Sequence, residues 1–156
     1  MATEKGWTLK NAIDRAISME DQSHSLYDTA LTRVLSPGSK ILLRNLANDE
    51  LQHKAKLQKI RESGSLEQLE SKTRDIADLQ ILDKVEDIRL SEDATYQEIL
   101  IFAGKREKET HEYYLELSKR LSGTTAGDFF GKLAQEELGH KNKIEREYES
   151  VVMKEG

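Results

Sequence analysis

The chain has 156 residues, a formal net charge of −5, and 34% charged against 37% hydrophobic residues, which is enough for one domain with a buried core. The acidic balance and the lack of a long Lys/Arg block exclude nucleic acid as a partner, and the absence of Cys excludes a disulfide framework and an iron–sulfur centre. No apolar run approaches about 18 residues and no hydrophobic signal core begins the chain, so we expect a soluble, cytoplasmic protein without a membrane segment.

The first part of the chain predicts a helical hairpin. Apolar side chains recur in steps of three and four over 8–35 and again over 39–63, which is the spacing of amphipathic helices. The Ser-Pro-Gly sequence at 36–38 is typical of a short turn, so these two helices should run antiparallel. The segment 65–91 follows, and it is long enough to cross a helix of about 26 residues, which measures about 39 Å.

The last part of the chain predicts a second hairpin. Helical spacing continues over 92–121, with Ser91 as the predicted N-cap, and over 126–152, where 125–128 has the form of a capping box. The long segment before this hairpin would make the second and third helices parallel. We therefore expect a single all-α domain over 1–156, an antiparallel four-helix bundle with one long crossover.

A pattern of acidic residues and histidines occurs twice in these predicted helices, with 87 residues between the copies. In each copy a Glu is followed 30 residues later by Glu-x-x-His. The residues are Glu20, Glu50 and His53 in the first copy, and Glu107, Glu137 and His140 in the second. Neighbouring positions repeat as well, since 46–54 aligns with 133–141. The repeat predicts two related helical hairpins.

The six repeated residues lie on the stripes predicted to face the core. Both side chains of a Glu-x-x-His sequence point the same way on a helix, and burying carboxylates without compensation costs several kcal/mol. Two divalent cations would neutralise four carboxylates, so the pattern predicts a dinuclear metal site. Oxygen and imidazole ligands suit iron or manganese more than magnesium, which rarely binds His. A purely structural bundle with protonated carboxylates is the competing interpretation.

The two predicted helices that contain Glu20 and Glu107 resemble those of a known family. Residues 16–20 followed by Tyr27, and residues 103–107 followed by 113–114, resemble the metal-binding helices of rubrerythrins, which belong to the ferritin-like di-iron carboxylate superfamily. The resemblance covers about 8–152. It implies that Glu20 and Glu107 are terminal ligands, one to each of two iron ions. Glu50 and Glu137 would bridge the two ions, and His53 and His140 would each bind one of them.

The sequence departs from related families at three points. Rubrerythrins usually have a further Glu three residues after the third-helix ligand, where this chain has Thr110. Without Cys there is no rubredoxin domain, so the resemblance implies an external electron donor such as a rubredoxin-type protein. Bacterioferritin-like sequences have a haem-binding Met where this chain has Leu51, so we expect no haem. A homodimer is also expected.

Other polar residues near the pattern have less specific interpretations. Tyr27 and Tyr114 follow their glutamates by seven residues, and we expect buried rings whose hydroxyls bond to ligand carboxylates, with a redox role as the alternative. His24 and His111 are expected to flank the core as polar groups, although extra ligands or proton carriers are alternatives. Glu136 precedes Glu137 but aligns with Asp49, and it is therefore not predicted to be a ligand.

These observations lead to one functional expectation and two alternatives. The resemblance implies a di-iron protein that reduces hydrogen peroxide or dioxygen with electrons from the external donor. A ferroxidase or iron-storage protein is the first alternative, and it predicts uptake of iron well beyond two ions per chain. A di-iron hydroxylase is the second, and it requires an apolar channel for its substrate.

Overall fold

The computed structural model describes residues 8–63 and 90–155, and the regular structure within these ranges is entirely α-helical. The helices are α1 (Leu9–Leu31), α2 (Pro37–Glu62), α3 (Tyr96–Arg120) and α4 (Thr125–Glu155). None of them is long and apolar enough to cross a membrane. The predicted crossover over 65–91 lies outside the described residues, apart from its last two positions.

The turn between α1 and α2 differs from the prediction in where each helix stops and starts. α1 ends at Leu31 rather than near residue 35, because Thr32 closes it by donating its backbone N–H and its hydroxyl to carbonyls one turn earlier. α2 begins at Pro37 rather than 39. Ser36 caps it by accepting at Oγ from the N–H of Ser39 at 3.5 Å, and Pro in the first helical position loses no hydrogen bond.

The start of α3 also lies later than the sequence pattern predicts. The N-cap is Thr95 and not Ser91, so the helix begins at Tyr96 rather than 92. Thr95 and Glu98 form a capping box, in which each side chain accepts from the other residue's backbone N–H at 3.2 and 2.9 Å. Ser91 instead accepts from the N–H of Asp93 at 3.2 Å, which stabilises the preceding loop.

α4 begins one residue before the predicted position and runs to Glu155 rather than 152. Its cap is Thr124, whose hydroxyl accepts from the N–H of Gly127 at 3.0 Å, so the predicted box over 125–128 is wrong. The first turn passes so close to the end of α3 that a Cβ at Gly127 would lie 2.3 Å from the carbonyl oxygen of Leu121. Glycine is therefore required at this contact.

The helices form the predicted all-α four-helix bundle, in which α1 packs against α2 and α3 packs against α4. Tyr113, near the end of α3, donates to the carbonyl of Ala12 near the start of α1 at 2.8 Å. Arg33, just after α1, donates to the carbonyl of Ala94 just before α3 at 2.5 Å. α1 is therefore antiparallel to α3. An ion pair between the start of α1 and the end of α2 shows that α1 is antiparallel to α2 as well, so the parallel orientation predicted for α2 and α3 is confirmed.

The core consists of two apolar clusters with a polar layer between them. One cluster lies around the start of α1 and the end of α3 and includes Ile13, Leu57, Tyr114, Leu117 and Phe130. The other lies around the end of α1 and the start of α3 and includes Leu26, Leu43, Leu46, Leu100 and Ile144. Each fully buried aliphatic side chain contributes about 1.5–3 kcal/mol, which offsets the cost of burying polar groups between the clusters.

Candidate metal centre

The six residues of the doubled pattern converge in the polar layer. α1 and α3 each contribute one glutamate, and α2 and α4 each contribute a glutamate and a histidine one turn apart. All six are nearly inaccessible to solvent, with 0–3% of each residue exposed. They are Glu20, Glu50, His53, Glu107, Glu137 and His140. The helical spacing therefore places these groups in one layer at the centre of the bundle.

The six residues form two overlapping groups, each able to hold a metal ion. Within each group, one ligand atom per residue lies within 4.8 Å of all the others. The first group is Glu20, Glu50, His53 and Glu137, and the second is Glu50, Glu107, Glu137 and His140. Both groups contain Glu50 and Glu137, so these two carboxylates lie between the positions. The bridging and terminal roles that the family resemblance implies stay predictions, and these two groups are compatible with them.

Each histidine faces the carboxylates with its Nδ1 atom. His53 Nδ1 lies 3.3 Å from Glu50 and 3.4 Å from Glu20, and His140 Nδ1 lies 3.0 Å from Glu137. The two imidazole rings are nearly parallel, with an interplanar angle of 17° and centroids 5.8 Å apart. A metal bound at either position would therefore meet Nδ1.

The atoms that face the centre lack hydrogen-bond partners. The atoms concerned are Glu20 Oε1, Glu107 Oε1, both carboxylate oxygens of Glu50 and Glu137, and Nδ1 of His53 and His140. Buried polar atoms are normally hydrogen-bonded, because an unpaired one costs about 1–3 kcal/mol and a charged one more. Since the unpaired atoms in this layer are metal-ligand types aimed at one another, the residues fit bound cations.

Electrostatics at the centre favours any positive species. Burial raises the pKa of Glu50 and Glu137 well above the usual range of glutamate, and the charge of Glu107 raises both further. Burial alone lowers the pKa of His53, but the carboxylates of Glu20, Glu137 and Glu136 together outweigh it and bring the pKa to about 9. Protons therefore occupy this site when no cation does, and metal binding releases them.

Two buried tyrosines hold the outer glutamates across the repeat. Tyr114 donates its hydroxyl to Glu20 Oε2 at 2.6 Å, and Tyr27 donates to Glu107 Oε2 in the equivalent contact. Burial raises the pKa of both phenols well above 10, and the neighbouring carboxylates raise it further. Both hydroxyls therefore stay protonated at neutral pH and fix the direction in which each carboxylate points.

Two half-exposed carboxylates hold the outer nitrogens of the histidines. Glu136 on α4 lies 2.6 Å from Nε2 of His53 on α2, and Asp49 on α2 lies 3.1 Å from Nε2 of His140 on α4. A histidine that donates from Nε2 to such a carboxylate has Nδ1 available for a metal ion. The sequence pattern aligned Asp49 with Glu136 but assigned neither a role, because each pairs with the histidine of the other hairpin.

His24 and His111 belong to neither of the two ligand groups. His24 is 3.6 Å from Asp28 on its own helix, and His111 Nδ1 is 2.7 Å from the carbonyl of Ala134. Thr110, where rubrerythrins usually have a glutamate, is buried and donates its hydroxyl to the carbonyl one turn earlier at 2.9 Å. The centre therefore has the four carboxylates of the doubled pattern and no fifth at this position.

Comparison with known proteins gives one match. The family model described as Rubrerythrin matches residues 11–148, a range that contains all six residues of the two ligand groups. A search of curated proteins and a search of solved structures gave no significant match.

Proposed function

Since the chain belongs to the rubrerythrin family, we propose that it is a di-iron protein that reduces hydrogen peroxide, or dioxygen, with electrons from an external donor. The observation that carries this proposal is the layer of unpartnered carboxylate oxygens and imidazole nitrogens in six buried residues. Two iron ions would be held by Glu20 and His53 on one side and by Glu107 and His140 on the other. Glu50 and Glu137 would contact both ions.

Iron, when bound, supplies the two electrons that reduce hydrogen peroxide to two molecules of water, with one electron from each ion. Two protons are taken up in this reduction. The four carboxylates favour the higher oxidation state because their negative charge stabilises the greater positive charge. Tyr27 and Tyr114 keep the outer carboxylates in place, and Asp49 and Glu136 do the same for the imidazoles.

Burial of the site limits the size of its substrate. The six candidate ligands are 0–3% exposed, so an oxidant must pass between packed helices to reach them. Hydrogen peroxide and dioxygen are small enough to do so with minor side-chain movement. This feature favours a small oxidant over the bulky apolar substrate of a hydroxylase.

Rapid mixing tests the proposal. Protein loaded with two equivalents of ferrous iron and kept anaerobic is mixed with hydrogen peroxide, and the absorbance of the oxidised centre is followed. We expect oxidation far faster than that of free ferrous ion, with one peroxide consumed per two irons. Oxidation no faster than that of free ferrous ion contradicts the proposal.

The ferroxidase and storage alternative is distinguished by iron uptake and by the size of the assembly. Iron accumulation well beyond two ions per chain, in a large assembly detected by light scattering, would favour storage. Uptake that stops at about two ions favours the proposed reaction.

A further inference from the structure

The central layer is covered in most directions by the packing of the bundle. One apolar cluster lies at each end of the layer along the bundle axis, and the two helices of each hairpin pack closely against each other. A metal ion cannot cross an apolar cluster at low cost, because a charge loses its hydration there. Two directions remain, between α1 and α3 on one side and between α2 and α4 on the other.

The side between α1 and α3 is closed by buried side chains. Tyr27 and Tyr114 lie there, and each donates its hydroxyl to the outer glutamate of the opposite helix. Both tyrosines are at most 1% exposed, and Ser23 and Thr110, one turn after the outer glutamates, are buried as well. Within the described ranges, no exposed polar side chain on this side is hydrogen-bonded to a candidate ligand.

The side between α2 and α4 instead has partly exposed carboxylates that reach the candidate ligands. The side chains of Asp49 and Glu136 are 43% and 38% exposed. Asp49 contacts Nε2 of His140, and Glu136 contacts Nε2 of His53, whereas the side chains of the two histidines are almost fully buried. α2 and α4 also approach each other less closely than the helices of either hairpin do. In the part of the chain that the structure describes, these two carboxylates therefore connect solvent to the ligands.

Each of these carboxylates has an oxygen left for a cation. Asp49 uses Oδ2 and Glu136 uses Oε1 in its contact with a histidine. Neither forms an ion pair with a lysine or arginine among the described residues, in contrast to Asp21, which lies 2.7 Å from Lys54. Carboxylate oxygens bind divalent cations, and negative charge at the mouth of a cleft raises the local concentration of cations. The side between α2 and α4 therefore attracts ions of the kind that the centre fits.

We propose that metal ions enter the centre between α2 and α4, with Asp49 and Glu136 as the first side chains that bind them. This inference rests on the proposed function, because it concerns how the same centre is loaded. An ion held by Asp49 is next to His140, and an ion held by Glu136 is next to His53. Since these histidines belong to different ligand groups, each metal position has its own entrance.

The contacts between carboxylates and histidines also account for how a buried imidazole can admit an ion. A cation bound by the carboxylate competes with the imidazole for its negative charge and weakens the contact with Nε2. The ring is then held less firmly and can turn while the ion passes to Nδ1 and the glutamates behind it. Asp49 and Glu136 thus have a role in the rate of loading that is separate from their role in fixing the imidazoles.

The rate of loading tests this route. Metal-free protein is mixed rapidly with Co²⁺, and the absorbance of the bound ion gives the association and dissociation rate constants. The variant D49N/E136Q keeps the size of both side chains and removes their charge. We expect its association rate constant to fall at least about tenfold. Added salt should slow association with the unmodified protein and have much less effect on the variant, because salt screens charges that the variant lacks.

The matched control is D21N/E145Q, which removes the same amount of charge away from the route. Each of its two positions is an exposed carboxylate paired with a lysine, Asp21 between α1 and α2 and Glu145 on α4. We expect this variant to have little effect on association. A further variant, D49E/E136D, keeps both charges at the entrance and should retain most of the association rate of the unmodified protein.

The variant Y114F separates entry from support of the ligands. It releases the carboxylate of Glu20 without changing the charge of the protein or either residue at the entrance. We expect it to weaken Co²⁺ binding mainly by speeding dissociation, whereas D49N/E136Q should weaken binding mainly by slowing association.

An unchanged association rate constant in D49N/E136Q, with Co²⁺ still bound at equilibrium, would overturn the inference. Equal slowing in D21N/E145Q would overturn it by assigning the effect to net charge. A change confined to dissociation would overturn it by showing that Asp49 and Glu136 only position the histidines. Failure of the unmodified protein to bind Co²⁺ would contradict the proposed function as well. Loading is measured without peroxide, so a failure of the peroxide reaction contradicts the proposed function alone.

Discussion

Tyr113 and Tyr114 are adjacent buried tyrosines with different hydrogen-bond partners. Substituting each in turn therefore distinguishes a side chain that supports the metal centre from one that only stabilises the fold. Tyr114 donates to the candidate ligand Glu20, whereas Tyr113 donates to the backbone carbonyl of Ala12. We expect Tyr114→Phe to lower metal affinity about tenfold by releasing the carboxylate. Tyr113→Phe should lower the free energy of unfolding by about 1 kcal/mol and leave metal affinity unchanged. Metal competition assays measure the affinity, and urea unfolding measures the free energy of unfolding. Equal loss of metal affinity in the two variants would contradict a specific role for Tyr114.

Asp49 provides a second test at the residue scale, because its carboxylate contacts the outer nitrogen of His140. Asp14 is the matched control, since its side chain has the same 43% exposure and its partner, Arg61, is outside the centre. We expect Asp49→Asn to weaken metal binding about 10–100-fold and Asp14→Asn to leave it unchanged. Isothermal titration with a divalent ion measures the difference. Identical affinities for the two variants would show that the contact has no role in metal binding.

The candidate ligands could be predicted from the sequence. A charged residue on an apolar stripe is costly to bury, and the same charged residues recur on these stripes in both copies of the repeat. The contacts of Asp49 and Glu136 with the histidines could not be predicted from the sequence. Each carboxylate lies four residues before the histidine of its own helix, yet each contacts the histidine of the other hairpin. Such crossed pairs depend on how the hairpins pack, and spacing along one helix does not encode this.

At the scale of helices, the glycines of α4 make a paired prediction. A Cβ at Gly127 would lie 2.3 Å from a backbone oxygen of α3, whereas a Cβ at Gly139 would meet no atom within 4 Å. We expect Gly127→Ala to lower the free energy of unfolding, because backbone must move. Gly139→Ala should raise it by about 0.5–1 kcal/mol, since alanine favours a helix interior. Chemical unfolding of both variants tests this, and stabilisation by Gly127→Ala would contradict the close approach.

The existence of the four helices follows from apolar spacing, but their ends do not. Several residues near each end have side chains able to cap a helix, and Ser91 and Thr95 are one such choice. Thr95 is the cap because Glu98 can return the hydrogen bond. Similarly, Pro37 was predicted to lie in the turn between two helices, but it is the first residue of α2 in the structure. Apolar spacing therefore predicts the type of element, whereas the hydrogen bonds that the capping residue makes determine where the element begins.

For the whole molecule, the charge of the central layer predicts how stability depends on pH. In the metal-free protein, the raised pKa values of Glu50 and Glu137 mean that folding holds their protons to higher pH than the unfolded chain does. The pKa of His53 rises from 6.5 to about 9, so its contribution is complete below about pH 6.5 and is lost as pH rises to 9. All three shifts have the same sign. Metal-free protein should therefore become less stable across this range.

Thermal melting at a series of pH values, with and without bound metal, measures this dependence. We expect the Tm of the metal-free protein to fall between about pH 6.5 and 9. The gain in Tm on metal binding should increase over the same range, because the metal replaces the protons. A rise in the Tm of the metal-free protein with pH would contradict the assigned electrostatics.

The arrangement of the helices followed from the sequence, since two short turns and one long connection make α2 and α3 parallel. The ion pairs that join α1 to α2, Lys54 with Asp21 and Arg61 with Asp14, could not be predicted in this way, because they depend on how the two helices pack.

The central claim is that the buried layer binds two metal ions per chain. Anaerobic titration of metal-free protein with ferrous iron tests it most directly, with a Glu50→Gln/Glu137→Gln variant titrated in parallel. We predict saturation at about two irons per chain and loss of tight binding in the variant, because Glu50 and Glu137 belong to both ligand groups. Binding of fewer than about one iron per chain, or the same uptake by the variant, would contradict the account.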